Sequence, residues 1–137
     1  MKDLDLAKSL LRDGNTCVLV KGEDKIISKQ SGIRPMLDIL ISERDVKGYA
    51  LADKIVGKAV AYLAILAKVS VVYAEVLSVQ GKNTLEKYGI KYEYSTLTEI
   101  IINRKGDGQC PMEETVSAVD DPSVAFNKLK DKVYPIF

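Results

Sequence analysis

Apolar positions recur along this chain in two periods, and their alternation predicts most of its architecture. From Leu4 to Asp13 the spacing is helical, with Leu4, Ala7, Leu10 and Leu11 on one side. Asp13-Gly14-Asn15 ends that helix. Thr16-Cys17-Val18-Leu19-Val20 reads as a strand, Lys21-Gly22-Glu23-Asp24 as a turn, and Lys25-Ile26-Ile27-Ser28 as the returning strand of a hairpin. Ser31-Gly32-Ile33-Arg34-Pro35 leads into a helix bearing Met36, Leu37, Leu40 and Ile41. Pro35 suits its first turn, where the missing N–H is not needed.

Beyond this point the predicted order is strand, helix, strand, helix, strand. The strands fall near 48–52, 70–75 and 91–95, the helices near 55–67 and 77–88, with Gly89 ending the second helix. Such alternation implies right-handed crossovers and mostly parallel pairing, while the opening hairpin adds an antiparallel pair. Thr98 to Asn103 reads equally as strand or helix, and Arg104 to Gln109 as a loop. Pro111 starts a short helix to about Ala118, and Asp121-Pro122 starts the last one, to about Lys132. The expected fold class is α/β, a three-layer structure with a mixed sheet and helices on both faces, in one domain over residues 1–137.

The run from Ala59 to Leu77 is nearly long and apolar enough to suggest a membrane span. Lys68 and Glu75 interrupt it, and its second half, Val69-Ser70-Val71-Val72-Tyr73, is β-branched and aromatic. A buried helix followed by a buried strand accounts for both features, so no membrane association is expected.

Composition narrows the function classes. The chain has 137 residues, 47% hydrophobic and 28% charged, which is ordinary for a globular domain with a proper core. A net charge of +1 argues against a dedicated nucleic-acid surface. The tyrosines form no base-stacking motif. Two distant cysteines, Cys17 and Cys110, fit a reducing cytoplasm rather than a disulfide scaffold, and Met1-Lys2-Asp3-Leu4-Asp5 holds no signal core. The absence of histidine removes most acid–base and zinc chemistry, so neither a metal nor another cofactor is expected.

Three junctions carry the candidate chemistry. The first is Ala52-Asp53-Lys54-Ile55-Val56-Gly57-Lys58-Ala59, read as a strand end followed by a helix start with Asp53 as its cap. It falls short of a phosphate-binding P-loop at two positions, since Ala52 replaces the first glycine and Ala59 the magnesium-binding hydroxyl. On this reading Lys54 and Lys58 are neighbours one turn apart beside free backbone N–H groups, a combination that suits an anion, and Gly57 lets a ligand approach the backbone. A solvated helix end with an incidental glycine is the plain alternative. The second junction contains Arg34, able to hold a phosphate or carboxylate in two hydrogen bonds or simply to sit on the surface. The third, from Asn103 to Glu114, places Cys110 before Pro111. With no histidine base and with Glu113-Glu114 following, packing or capping is favoured for Cys110 over nucleophilic attack. The two glutamates read as ordinary complements of a helix dipole.

The order of elements resembles the cytidine-deaminase-like fold over nearly the whole chain. The segments SGIRPMLDIL, YALADKIVGKAVAYL and NRKGDGQCPMEETV are similar to a small prokaryotic family of unknown function with that fold. Deaminases carry H-x-E or C-x-E at one strand–helix junction and P-C-x-x-C at the next. Here the first junction holds Asp53 to Lys58 and the second Ala74-Glu75-Val76-Leu77-Ser78, so every zinc ligand is missing. The resemblance implies a retained pocket between the two helix starts with replaced chemistry. The leading expectation is a metal-free protein binding a nucleotide-like or other anionic small molecule through Asp53, Lys54, Gly57 and Lys58, with Arg34 and Cys110 nearby. The rivals are an interaction or regulatory protein with a vestigial pocket, and an enzyme using Lys54 or Lys58. Self-association is expected, in part from the apolar end Tyr134-Pro135-Ile136-Phe137.

Overall fold

The computed structural model describes residues 2–135. Its elements follow in the order α1 (Lys2–Arg12), β1 (Cys17–Lys21), β2 (Asp24–Ser28), α2 (Arg34–Ile41), β3 (Ala50–Val56), α3 (Lys58–Ala67), β4 (Val71–Ser78), α4 (Val79–Lys87), β5 (Lys91–Thr98), α5 (Pro111–Val116) and α6 (Pro122–Val133). The strands form one sheet in the order β2-β1-β3-β4-β5. β1 pairs antiparallel with both β2 and β3, whereas β3–β4 and β4–β5 are parallel. The mixed sheet with helices on both faces is therefore present as expected.

Strand alternation divides the interior in two. Cys17 and Leu19 of β1 face a large core with Met36 and Leu37 of α2, Leu51 of β3, Val72 and Ala74 of β4, and residues of α3 to α6. Val18 and Val20 face the other way, into a smaller core closed by Leu4, Ala7 and Leu11 of α1. α3 lies among α2, α4, α5 and α6, which is why its sequence is apolar almost all round. The apolar run after Ala59 is indeed this helix and then β4, and among the described residues no helix is long and apolar enough to cross a membrane.

One boundary differs from the sequence expectation and changes the site. β3 does not end at Ala52 but continues through Asp53, Lys54, Ile55 and Val56, paired with Ala74, Val76 and Leu77 of β4. The β-branched pair Ile55-Val56 favours that ladder over a first helical turn. α3 starts at Lys58, and its N-cap is Gly57 rather than Asp53. Lys54 and Lys58 therefore lie on different elements and are not helical neighbours.

The ambiguous stretch after β5 is neither strand nor helix, and Ile102 makes only an isolated bridge to Gln109. Asp121 caps α6 through the N–H groups of Ser123 and Val124, as its position before Pro122 predicts. Ile136 and Phe137 lie outside the described residues, so the expectation placed on the C-terminal tail is testable here only for Tyr134 and Pro135.

Candidate functional site

A cleft of about 880 Å³ opens at the end of β3 between the start of α2, the segment 101–113 and the end of α6. Its lining includes Arg34, Asp53, Lys54, Gly57 and Cys110, so five residues singled out from three separate junctions meet at one place. Lys58 is not among the lining residues. Its Nζ turns away to donate to the Ser117 carbonyl at 2.9 Å and lies 5.7 Å from the Tyr62 ring centroid.

The start of α3 is already occupied by an anion from the chain itself. Glu113 accepts hydrogen bonds from the N–H of Lys58 at 2.8 Å and of Ala59 at 2.9 Å, one on each carboxylate oxygen. Only 4% of Glu113 is exposed. Burial pushes its carboxyl up, while the two N–H groups and the Lys58 charge pull the other way. Gly57 makes this approach feasible, because a Cβ there would stand 2.1 Å from Oε1 of Glu113. The helix end expected to receive a ligand thus receives Glu113, and the close approach that Gly57 permits is used within the chain.

The space between the starts of α3 and α4 is also closed. Ser78 caps α4 through the N–H of Gly81, and a Cβ on Gly81 would stand 2.9 Å from the Val56 carbonyl oxygen. The pocket expected between the two helix starts lies instead beside α3, toward α2 and α6. A deaminase zinc does not fit this donor set. Glu113 covers the N–H groups of α3, Gly81 packs on the Gly57 backbone, and no group of three Cys, Asp or Glu side chains among the described residues is arranged to hold a metal.

Asp53 is the unusual group of the cleft. It sits opposite Cys17 in the β1–β3 ladder and is 5% exposed. Its Oδ1 accepts a hydrogen bond from the Ile55 N–H at 3.2 Å, but Oδ2 is buried with no partner. Burial pushes its pKa up to about 8, against a smaller opposing pull from the Ile55 N–H, the Cys17 thiol and the Lys54 N–H. The Cys17 thiol is pushed up as well, first by burial and then by the charge of Asp53.

Around this buried acid the cleft is lined by basic side chains from four segments. Arg34 begins α2, Lys54 lies on β3, Arg104 and Lys105 lie in the loop before α5, and Lys132 lies near the end of α6. Arg34 donates through Nη1 to the Tyr134 hydroxyl at 3.2 Å, and that hydroxyl donates to Asp38 at 2.6 Å. Arg104 donates through Nη2 to Ser31, tying the loop to the approach of α2. The loop is held from within, since Asn103 accepts from the Gly106 N–H at 2.8 Å and donates to Asp107 at 2.9 Å. Cys110, half-buried, is the N-cap of α5 but makes no side-chain cap bond.

Sequence reasoning missed Glu113 as a cap for another helix, and it missed Arg104, Lys105 and Lys132 as lining residues. Only Gly57, a small residue just ahead of a helix start without a capping side chain of its own, hinted at Glu113. For the three basic residues no local signal existed, because the return of the loop and of α6 to the cleft is set by tertiary packing.

The profile of a family described as TM1506, Domain of unknown function (DUF1893), matches residues 5–133. A crystal structure of a DUF1893 family protein (TM1506) from Thermotoga maritima superposes with a TM-score of 0.88 at 25% identity, covering 96% of this chain and 90% of that one. A diaminohydroxyphosphoribosylaminopyrimidine deaminase/5-amino-6-(5-phosphoribosylamino)uracil reductase from Thermotoga maritima gives 0.48 at 12% identity, over 69% of this chain and 35% of that one. The apo dCMP deaminase of the cyanophage S-TIM5 gives 0.46 at 14% identity, over 68% of this chain and 94% of that one. No curated protein sequence matches the chain.

Proposed function

The chain belongs to the DUF1893 family, whose function is unknown, and on that footing we propose that it is a metal-free binding protein for a nucleotide-like or other anionic small molecule. The ligand lies in the cleft beside α3, with Arg34 and Lys54 as its principal charge partners and Arg104, Lys105 and Lys132 completing the basic lining. One observation carries this reading. Basic side chains from four separate segments line a single cleft, whereas of its acids Asp53 is buried and pushed toward its neutral form, and Glu113 is buried with both oxygens held by the N–H groups of α3. Guanidinium and ammonium groups gathered this way lower the cost of desolvating an anion. The backbone N–H groups of α3 play no part in this scheme, since Glu113 holds them.

A thermal-shift panel of inorganic phosphate, AMP, CMP, GMP, citrate and succinate tests it. A ligand at about a hundred times its Kd adds about 2.7 kcal/mol of stability and raises Tm by several degrees. Arg34→Ala and Lys54→Ala should abolish the shift. If no member of the panel stabilises the wild type, or the two variants respond as the wild type does, the reading falls.

The second reading, an interaction protein, draws on the edge of the sheet. β5 is an edge strand with one unpaired side, and Tyr94 and Leu97 on it are exposed. Identical edges can pair with each other, so its occupant is a second copy of the chain. Light scattering decides: a dimer lost on Leu97→Lys supports it, and a 15.1 kDa monomer at high micromolar concentration refutes it.

A further inference from the structure

The cleft contains a polar group that the basic lining does not explain. Asp53 is nine-tenths buried, lines the cleft and forms no salt bridge among the described residues. Its Oδ1 is engaged by the Ile55 N–H and the Cys17 thiol also pulls on the carboxyl, while Oδ2 has no hydrogen-bond partner of its own among the described residues. Buried carboxyl oxygens are nearly always hydrogen-bonded, so an orphan oxygen on a cleft-lining residue marks a position for something from outside. A buried carboxyl without a counter-ion stays neutral. With Oδ1 accepting from backbone, the proton of the neutral acid belongs on Oδ2, which makes Oδ2 a donor.

The surroundings agree with that assignment. Burial pushes the group up to about 8, so it is mostly protonated at neutral pH. The ionisable groups around it are Cys17 across the ladder, Lys54 next along β3, and Arg34, Arg104, Lys105, Asp107, Cys110, Glu113 and Lys132 in the same cleft. None of them pairs with Oδ2. The cleft is also lined by Ile33, Val60 and Met112, which suit an apolar ligand body.

We propose that Asp53 forms an inner subsite in which Oδ2 donates a hydrogen bond to a neutral acceptor of the ligand, a carbonyl oxygen or a ring nitrogen. The ligand is then bifunctional: an anion on the basic lining, an apolar body, and a neutral acceptor at Asp53. This assignment rests on the anion reading above. It excludes a second anion at the inner end, which would face a carboxyl, and it disfavours an apolar group there, which would leave Oδ2 unpaired.

Three small probes of similar shape separate the possibilities: 4-carbamoylbenzoate, 4-isopropylbenzoate and terephthalate, with binding followed by protein-observed NMR. The carbamoyl compound should bind about tenfold more tightly than the other two, the scale of one well-placed hydrogen bond in a buried site. Asp53→Leu should erase that preference, binding 4-isopropylbenzoate at least as tightly as the carbamoyl compound. Asp53→Asn, whose amide N–H still donates, should keep the preference and serves as the second variant should Asp53→Leu fold poorly. Equal binding of all three probes that is lost in Arg34→Ala overturns the Asp53 subsite and leaves the anion reading standing. A preference that survives in Asp53→Leu also overturns the subsite. Failure of all three to bind the wild type overturns the subsite and the anion reading together.

Discussion

Replacing Gly57 by alanine should be as damaging as removing Glu113, and the two losses should not add. Gly57 has φ −106° and ψ −165°, extended backbone that alanine adopts without strain. Its substitution cost therefore comes from space. The new Cβ would fall 2.1 Å from Oε1 and 2.4 Å from Cδ of Glu113, which forces the carboxylate out. Two hydrogen bonds are lost, at 2.8 and 2.9 Å, and each bond to a charged group contributes about 1.5–3 kcal/mol. Desolvation of a side chain only 4% exposed offsets part of that, so the net loss should be about 2–4 kcal/mol for Glu113→Ala. Gly57→Ala should match or exceed it, since it leaves a buried carboxylate without partners. In the Glu113→Ala background the added methyl meets no carboxylate, and Gly57→Ala should then cost less than about 1 kcal/mol, its residue being the poorer capping of alanine. Urea unfolding followed by circular dichroism gives all four corners of the cycle, with the m-value as a check on two-state behaviour. Additive effects, or a Gly57→Ala protein within about 0.5 kcal/mol of wild type, would show that Glu113 does not hold the start of α3.

Asp53 keeps its proton in the folded chain from its ordinary pKa of 3.8 up to about 8, so its contribution to stability is full below that window and falls as pH rises through it. The loss is at most about 1.4 kcal/mol per pH unit, and Asp53→Asn should flatten this slope in urea titrations between pH 5 and 8; a slope unchanged by the substitution contradicts the buried, unpaired carboxyl. Lys58→Ala should leave ligand-induced thermal shifts as they are and cost under about 1 kcal/mol, because its ammonium is turned to the Ser117 carbonyl and the Tyr62 ring and lies outside the cleft lining; a lost thermal shift would place Lys58 in the cleft after all. Of the two thiols, Cys110 at the cleft should react promptly with a disulfide reagent, and ligand should slow it. Cys17 should react only on unfolding, being buried with its thiol pushed up, and prompt labelling of both would refute this.

Legibility from sequence followed the range of the interactions involved. The hairpin, the alternating middle and the capped α6 were readable because period, turn residues and caps act over a few neighbours. The end of β3 was not, because Asp53 and Lys54 look like a helix entry until β4 lies beside them and extends the ladder to Val56. The same tertiary cause governs the cleft. Arg34, Asp53, Lys54, Gly57 and Cys110 were identified one junction at a time, and their meeting required α2, β3 and the segment before α5 to converge. Lys58 was misplaced because its role depended on sharing a helical turn with Lys54. Glu113 was read as serving its own helix, whereas its partners Lys58 and Ala59 lie far away in sequence.

The two faces of the sheet are covered very unequally, and this sets an order of assembly. On one face, five helices close over β1, β3 and β4, and on the other α1 stands alone against Val18, Val20, Ala50, Ala52, Val71 and Tyr73. A chain emerging from the ribosome makes α1 before any strand of the sheet, yet the floor on which it rests is finished only when β4 arrives. Until then Leu4, Ala7 and Leu11 have no dry surface to meet, and an eleven-residue helix is marginal in water. α1 is thus born early and docked late. In the finished protein the same layer can lift without disturbing the larger core, so its amides should exchange with solvent through an opening less costly than global unfolding.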